Sequence, residues 1–152
     1  MSTEVHIGSI EIEVFAHATE DPNKVTTAVK NLFQPNYGNE VSFSQTTLNG
    51  HYGNPITLFK TKIQEKPMIN ALIEYLSSQL NDENKKTLFM NIDRHLNEKG
   101  SLFIRLNKQS ALINKIELEY EDPIRIQIKF NTRNKSKENM IKLSRELLRF
   151  WV

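Results

Sequence analysis

Four histidines (His6, His17, His51, His95) and eighteen carboxylates are the groups this chain offers to acid–base or metal chemistry, and it has no cysteine. The histidines are scattered, with no pair at the spacing of a helical zinc motif such as HExxH. Without Cys there can be no disulfide, thiolate zinc site, iron–sulfur cluster or cysteine nucleophile, a composition that fits a soluble cytosolic protein. Glu11 and Glu13 share one side of an extended segment, as do Glu117, Glu119 and Glu121. Paired carboxylates of this kind can move protons, or with Asp93 hold a divalent ion. Alternation on a solvated sheet face accounts for them equally well. Gly50-His51-Tyr52-Gly53 lacks the GKS or GKT and the helix of a phosphate loop, and no GxSxG elbow occurs. The expectation is a non-enzyme with no catalytic residue, no metal and no cofactor.

The cations are more informative. Residues 1–76 carry five Lys and Arg against eight Asp and Glu, whereas residues 77–152 carry fifteen against ten. From Ile124 to Val152 there are eight basic residues and two acidic ones; from Lys99 to Lys115 there are four basic residues and no acidic one. Such clustering suits a polyanion, since phosphate contact requires Lys and Arg and sequence-tolerant base contact requires flat rings. Phe103 and Arg105 lie on one side of an extended segment, and Arg125 and Lys129 point outward from another. Arg133, with Lys135 and Lys137, continues that track toward a terminal helix whose Lys142, Arg145 and Arg149 fall within about 60° of one another. His51 and Tyr52, in a loop, can stack on an unpaired base. RNA is the expected partner, bound on one continuous basic surface. Each residue also has a structural explanation: Phe103 covered by a helix, the strand cations paired with Glu11 or Glu117, Tyr52 pinning its loop. A second reading, assembly with other protein subunits or with a second copy, is motivated by Phe15 and Phe103 on outer faces.

The elements that would position these groups follow from periodicity. A length of 152 residues predicts one domain over 1–152. No apolar run reaches the 18 or more residues of a membrane helix, and the acidic, alternating start is unlike a signal peptide, so a cytoplasmic protein is expected. Ile10 to Ala16 alternates as a half-buried strand. Asp21-Pro22 opens a helix through Val25, Ala28, Val29 and Leu32 that stops near Gln34-Pro35. Val41-Ser-Phe-Ser reads as a second strand, and the turn Asn49 to Pro55 separates Thr46-Thr-Leu from Ile56-Thr-Leu-Phe. Ile69, Leu72, Ile73, Leu76 and Leu80 mark a helix after Pro67; Asp82 caps another that reaches His95 or Leu96 and ends at Gly100. Strands follow at Leu102 to Leu106, Ile116 to Tyr120 and Ile124 to Phe130, with a short helix after the first. A last helix starts near Ser136 with Met140, Ile141, Leu147, Leu148 and Trp151 inward. Late strands without crossover helices predict an α+β fold, a largely antiparallel sheet with helices packed on one face.

Four segments also carry a family resemblance. Thr19-Glu-Asp-Pro-Asn-Lys-Val-Thr-Thr-Ala-Val, Gly50-His-Tyr-Gly-Asn-Pro-Ile, Gly100-Ser-Leu-Phe-Ile-Arg-Leu-Asn-Lys-Gln-Ser-Ala and Pro123-Ile-Arg-Ile-Gln-Ile-Lys-Phe occur in this order between about Glu11 and Arg133. Together they resemble an archaeal family of predicted exosome subunits or RNA-binding proteins, similar in fold to the ribosomal protein that binds five-S rRNA. The resemblance implies an RNA-related role and an α+β sandwich. Among the matching segments His51, Tyr52 and Asn54, and Arg105, Lys108 and Gln109, are the expected RNA contacts. Arg133, Lys142, Arg145 and Arg149 rest on charge alone.

Overall fold

A computed structural model describes residues 7–50 and 52–149. Its strands are β1 (Ile7–Ala16), β2 (Ser44–Asn49), β3 (Pro55–Ile63), β4 (Ser101–Leu106) and β5 (Ile124–Phe130). They form one antiparallel sheet in the order β2-β3-β1-β5-β4. The helices are α1 (Pro22–Lys30), α2 (Pro35–Gly38), α3 (Lys66–Gln79), α4 (Asp82–Met90), α5 (Lys108–Leu112) and α6 (Lys137–Arg149), with a 3-10 turn at Ile92–His95 after α4. The chain is therefore an α+β fold of one sheet layer and one helix layer. None of the described helices is long and apolar enough to cross a membrane.

Alternation makes β1 central. Ile10, Ile12 and Val14 are buried, and they line up with Ile63, Thr61 and Phe59 of β3, while Ile10 and Ile12 meet Ile128 and Ile126 of β5. Leu102 and Ile104 of β4 extend the same side. Against it pack Val25 and Leu32 from the α1 region, Leu72 and Leu76 of α3, Leu88 of α4, and Met140 and Leu147 of α6. Each such side chain contributes about 1.5–3 kcal/mol when fully buried. The core lies on this face; on the opposite face β1 and β5 present part-exposed side chains, while Ser101 and Phe103 of β4 are buried.

Local signals place most of the elements. The Asp21 side chain accepts from Asn23 N at 2.9 Å and Pro22 opens α1. The helix ends at Lys30 rather than near Gln34: the backbone tightens to turn bonds from Leu32 N to Val29 O and from Phe33 N to Lys30 O, and the Asn31 side chain donates to the Ala111 and Leu112 carbonyls of α5. The cap of α4 is Asn81, which accepts from Asn84 N, and Asp82 stands in the first turn. At Asn91 the backbone leaves helical geometry and the side chain bonds back to Thr87 O, so the expected long helix breaks into α4 and the 3-10 turn. Met140, Leu147 and Leu148 face the core from α6; Trp151 lies outside the described residues.

Two expected strands differ. Val41 to Ser44 is not one: pairing begins only at Ser44, while Val41 is buried and Phe43 meets Phe59 edge-on at 6.0 Å, so its period of two comes from a loop pinned to the core. Among the described residues, Ile116 to Tyr120 joins the sheet only through the single bridge Leu106–Leu118.

Gly100 adopts φ +80°, and a Cβ there would sit 2.5 Å from Met140 Sδ of α6. Gly100→Ala combines left-handed strain with a collision in the core, and should destabilise the fold by about 1–3 kcal/mol. Urea unfolding would register this as a lower midpoint with an unchanged slope; a wild-type midpoint would contradict it.

Candidate nucleic-acid interface

The open face of the sheet is built by the residues that alternate with the core. β1 contributes Glu11, Glu13 and Phe15; β3 contributes Leu58, Lys60 and Lys62; β5 contributes Arg125, Gln127 and Lys129; β4 contributes Ser101, Phe103 and Arg105. An acidic row on the central strand is thus flanked on both sides by cations. Glu13 is shared: Oε1 is 3.0 Å from Lys60 Nζ, and Oε2 pairs with the Arg125 guanidinium. Glu11 Oε1 lies 3.4 Å from Lys129 Nζ. Such part-exposed pairs are worth about 0.2–1 kcal/mol each. Five cations against two carboxylates leave the face at +3.

Arg105 and Lys62 have no acidic partner among the described residues, and Arg105 stands beside a second arginine, Arg125. The two arginines stand directly opposite each other on β4 and β5, an arrangement that like charges disfavour. Both guanidiniums lie over the ring of Phe103, at 5.1 and 5.3 Å from its centroid. Burial first, and then the charge of Arg125, push the Arg105 pKa below the ordinary arginine value. An anion placed between the two guanidiniums would relieve their repulsion.

The expected contact residues do not form one surface. Phe103, Arg105, Arg125 and Lys129 come together on the open face, but Phe103 is only 7% exposed and holds the two guanidiniums at its ring, so it supports them rather than offering a bare ring. Tyr52 (87% exposed) and Asn54 are in the β2–β3 turn, beyond the Ala16 end of β1. Arg133 is exposed after β5, whose Phe130 pairs with Ile7 at the opposite end of β1. Lys142 and Arg145 are exposed on α6, in the helix layer, where Arg145 lies 5.8 Å over the Phe89 ring. Gln109, on α5, lines a cleft of about 360 Å³ with Thr19, Lys24 and Val25. His51 and the Arg149 side chain lie outside the described residues. Lys60 and Lys62 are the cations that sequence reasoning missed, although the run Leu58-Phe-Lys60-Thr-Lys62 has the same period-two signal that placed Arg125 and Lys129.

Lys108 departs furthest from expectation. It is buried, and its ammonium bonds to the Phe15 carbonyl and Glu20 Oε1, both at 2.9 Å, and to Asp122 Oδ2 at 2.6 Å. His17 Nε2 adds a contact to Asp122 at 3.1 Å. Asp122 reaches inward from a left-handed backbone at φ 46°, which Asp tolerates better than most residues. The ligand atoms of His17, Glu20 and Asp122 lie within 4.8 Å of one another, a span that a metal ion could bridge. The Lys108 ammonium already supplies the positive charge between the two carboxylates, so this cluster is a structural knot joining the end of β1 to the approach to β5.

These features define a small α+β protein whose sheet face opposite the core gathers a net positive charge. Residues 9–130 match the model of a family described as RNA binding, and the chain belongs to that family. It is similar to the RNA-binding protein PAB1135 of Pyrococcus abyssi, 33% identical over 150 residues that cover 97% of both chains. Among solved structures it is similar to protein AF2318 from Archaeoglobus fulgidus, with 26% identity and a TM-score of 0.83 over 93% of this chain and 99% of that one. Mth689 from Methanothermobacter thermautotrophicus, described as a DUF54 protein, shares the fold at a TM-score of 0.75 and 24% identity, over 93% and 98% of the two chains.

Lys108→Met should destabilise the protein by about 2–4 kcal/mol, because it leaves two carboxylates facing each other in a part-buried site, while the folded fraction should bind RNA as the wild type does. Denaturant titration and binding assays on the same sample separate the two effects, and lost binding by a fully folded variant would contradict this assignment. His95 gives a pH dependence. It is buried, its Nδ1 has no hydrogen-bond partner among the described residues, and burial followed by the Arg105 charge lowers its pKa from 6.5, with Asp93 opposing. The unfolded chain therefore takes up the proton first, and the stability that neutral His95 contributes is present above pH 6.5 and lost below it. Acidification from about pH 7 to about pH 5 should destabilise wild type more than His95→Leu; equal losses would show that His95 does not titrate as described.

Proposed function

We propose that this protein is a cytoplasmic, non-catalytic RNA-binding accessory factor that holds phosphates on the open face of its sheet. The observation that carries this reading is the Arg105–Arg125 pair, two like charges held opposite each other over Phe103 with one of them lacking an acidic partner among the described residues. Lys129, Lys60 and Lys62 extend the field along and across the sheet, and Phe15, 37% exposed, offers a ring next to Glu13 on the same strand face. Membership of an RNA-binding family and the name of the Pyrococcus relative point the same way. Work beside an RNA-processing or RNA-degrading machine such as the exosome, or beside the ribosome, is the setting that suits a protein that holds RNA without cutting it. Glu11 and Glu13 fit this role better than a metal-dependent nuclease, because a divalent ion would first have to displace the cations already bound to them.

A single strand that lays about four phosphates on this face should bind with a slope of log affinity against log salt near −2.8. Arg105→Gln and Lys62→Gln break no ion pair seen among the described residues, and each should reduce that slope by about 0.7. The helix-layer double variant Lys142→Gln with Arg145→Gln should leave it unchanged. Filter binding across a salt series reads all three; a slope altered only by the helix-layer variant would move the RNA site off the sheet.

A further inference from the structure

The two edges of the sheet are finished differently. Along β4 the outer backbone is engaged by the bridges Leu96–Leu102 and Leu106–Leu118, with Asn97 N donating to Ser101 O and Glu119 N to Arg105 O, both at 3.0 Å. Along β2 every residue is exposed, and among the described residues its backbone hydrogen bonds go to β3 alone. Every second N–H and C=O of such a strand points outward unpaired. Exposed edges are normally protected by charge, proline, a bulge or a covering loop. The β2 sequence Ser-Gln-Thr-Thr-Leu-Asn has neither charge nor proline, and its register with β3 runs without a bulge.

We propose that β2 pairs antiparallel with β2 of a second copy of this chain, across a two-fold axis perpendicular to the sheet, so that two five-stranded sheets become one. Such an axis keeps both open faces on the same side, and each residue meets one from the same face of its twin. With the axis at Thr47, Thr47 opposes itself, Thr46 opposes Leu48 and Gln45 opposes Asn49. Leu48, 42% exposed beside Ile56 on the open face, then becomes a diagonal neighbour of its twin and leaves water. Charge favours this occupant as well. The nearest cation, Lys60, is opposite Ser44 at the far end of β2, so the two-fold sends the two lysines to opposite ends of the seam. An uncharged strand meeting itself places no like charges in contact, whereas it offers a foreign strand no charge to recognise. The joined face would carry two Arg105–Arg125 pairs on one side of a single platform. The pairing stands independently of the RNA reading.

The test begins with light scattering of the full chain over a concentration series, where wild type should show twice the 17.7 kDa chain mass. Thr47→Lys alone and Thr47→Glu alone should each fall to the single-chain mass, and mixing the two should restore a heterodimer, since position 47 opposes itself. The chain has no cysteine, so Thr47→Cys introduces a lone thiol that should form a disulfide dimer on oxidation, while Ser78→Cys, exposed on α3, should not. Circular dichroism identical to wild type guards against misfolding as the cause. Wild type at single-chain mass throughout would overturn the proposal and leave the edge to a strand of another protein. A dimer that is indifferent to both charged substitutions of Thr47, and that the Thr47→Cys variant does not cross-link, would overturn it too, placing the contact elsewhere.

Discussion

The open face depends on one carboxylate shared between two strands. Glu13 accepts from Lys60 of β3 and from Arg125 of β5, and it can do so only in the register that puts Ile12 and Val14 in the core. A slip by one residue would reverse both faces of β1 together, exposing isoleucine and burying glutamate. The hydrophobic side fixes the register at a few kcal/mol per residue, and the electrostatic side, though weaker by itself, penalises the same error. Core packing and surface charge therefore specify one alignment, and everything that sits on the face inherits its position from it.

Segments whose local chemistry was decisive were legible in the sequence. The strict alternation of Ile10 to Ala16 and Ile124 to Phe130, the Asp21-Pro22 helix start and the Leu72, Leu76 stripe each depend on neighbours within a few residues, and each appears where expected. The departures arise where distant contacts decide. At the end of α1 the Asn31 side chain ties to α5 about eighty residues away, and no local signal could announce that. Val41 to Ser44 alternates because Val41 and Phe43 anchor a loop, a role that pattern alone does not separate from a strand.

The site was legible in part for the same reason. Which cations face outward on β5 follows from period two, and the alternative of pairing with Glu11 or Glu117 holds only for Lys129 with Glu11, whereas Arg125 takes Glu13. That Lys108 is internal was not visible, since its partners Phe15, Glu20 and Asp122 come from segments that only the folded chain brings together. Nor could the sequence reveal that the strand cations and the α6 cations occupy different layers: a linear run of basic residues crosses from β5 to α6 without a change of character, whereas the fold turns from sheet to helix layer there. The family resemblance pointed to an RNA-binding family, to which the chain belongs, while the contacts expected on its segments fall in a turn, on the sheet face and in the interior.

The order of the strands has a consequence for synthesis. β1 is the first strand to be made and the central one, yet its neighbour β5 is encoded more than a hundred residues later. On the ribosome, β1 can join the β2–β3 hairpin early, but its other edge waits through α3, α4 and β4 for a partner. For that interval an apolar strand has one open side. The glutamates at 11 and 13 would already face Lys62 and Lys60 of β3, yet as charged side chains at every second position they make that waiting edge a poor match for a foreign apolar strand.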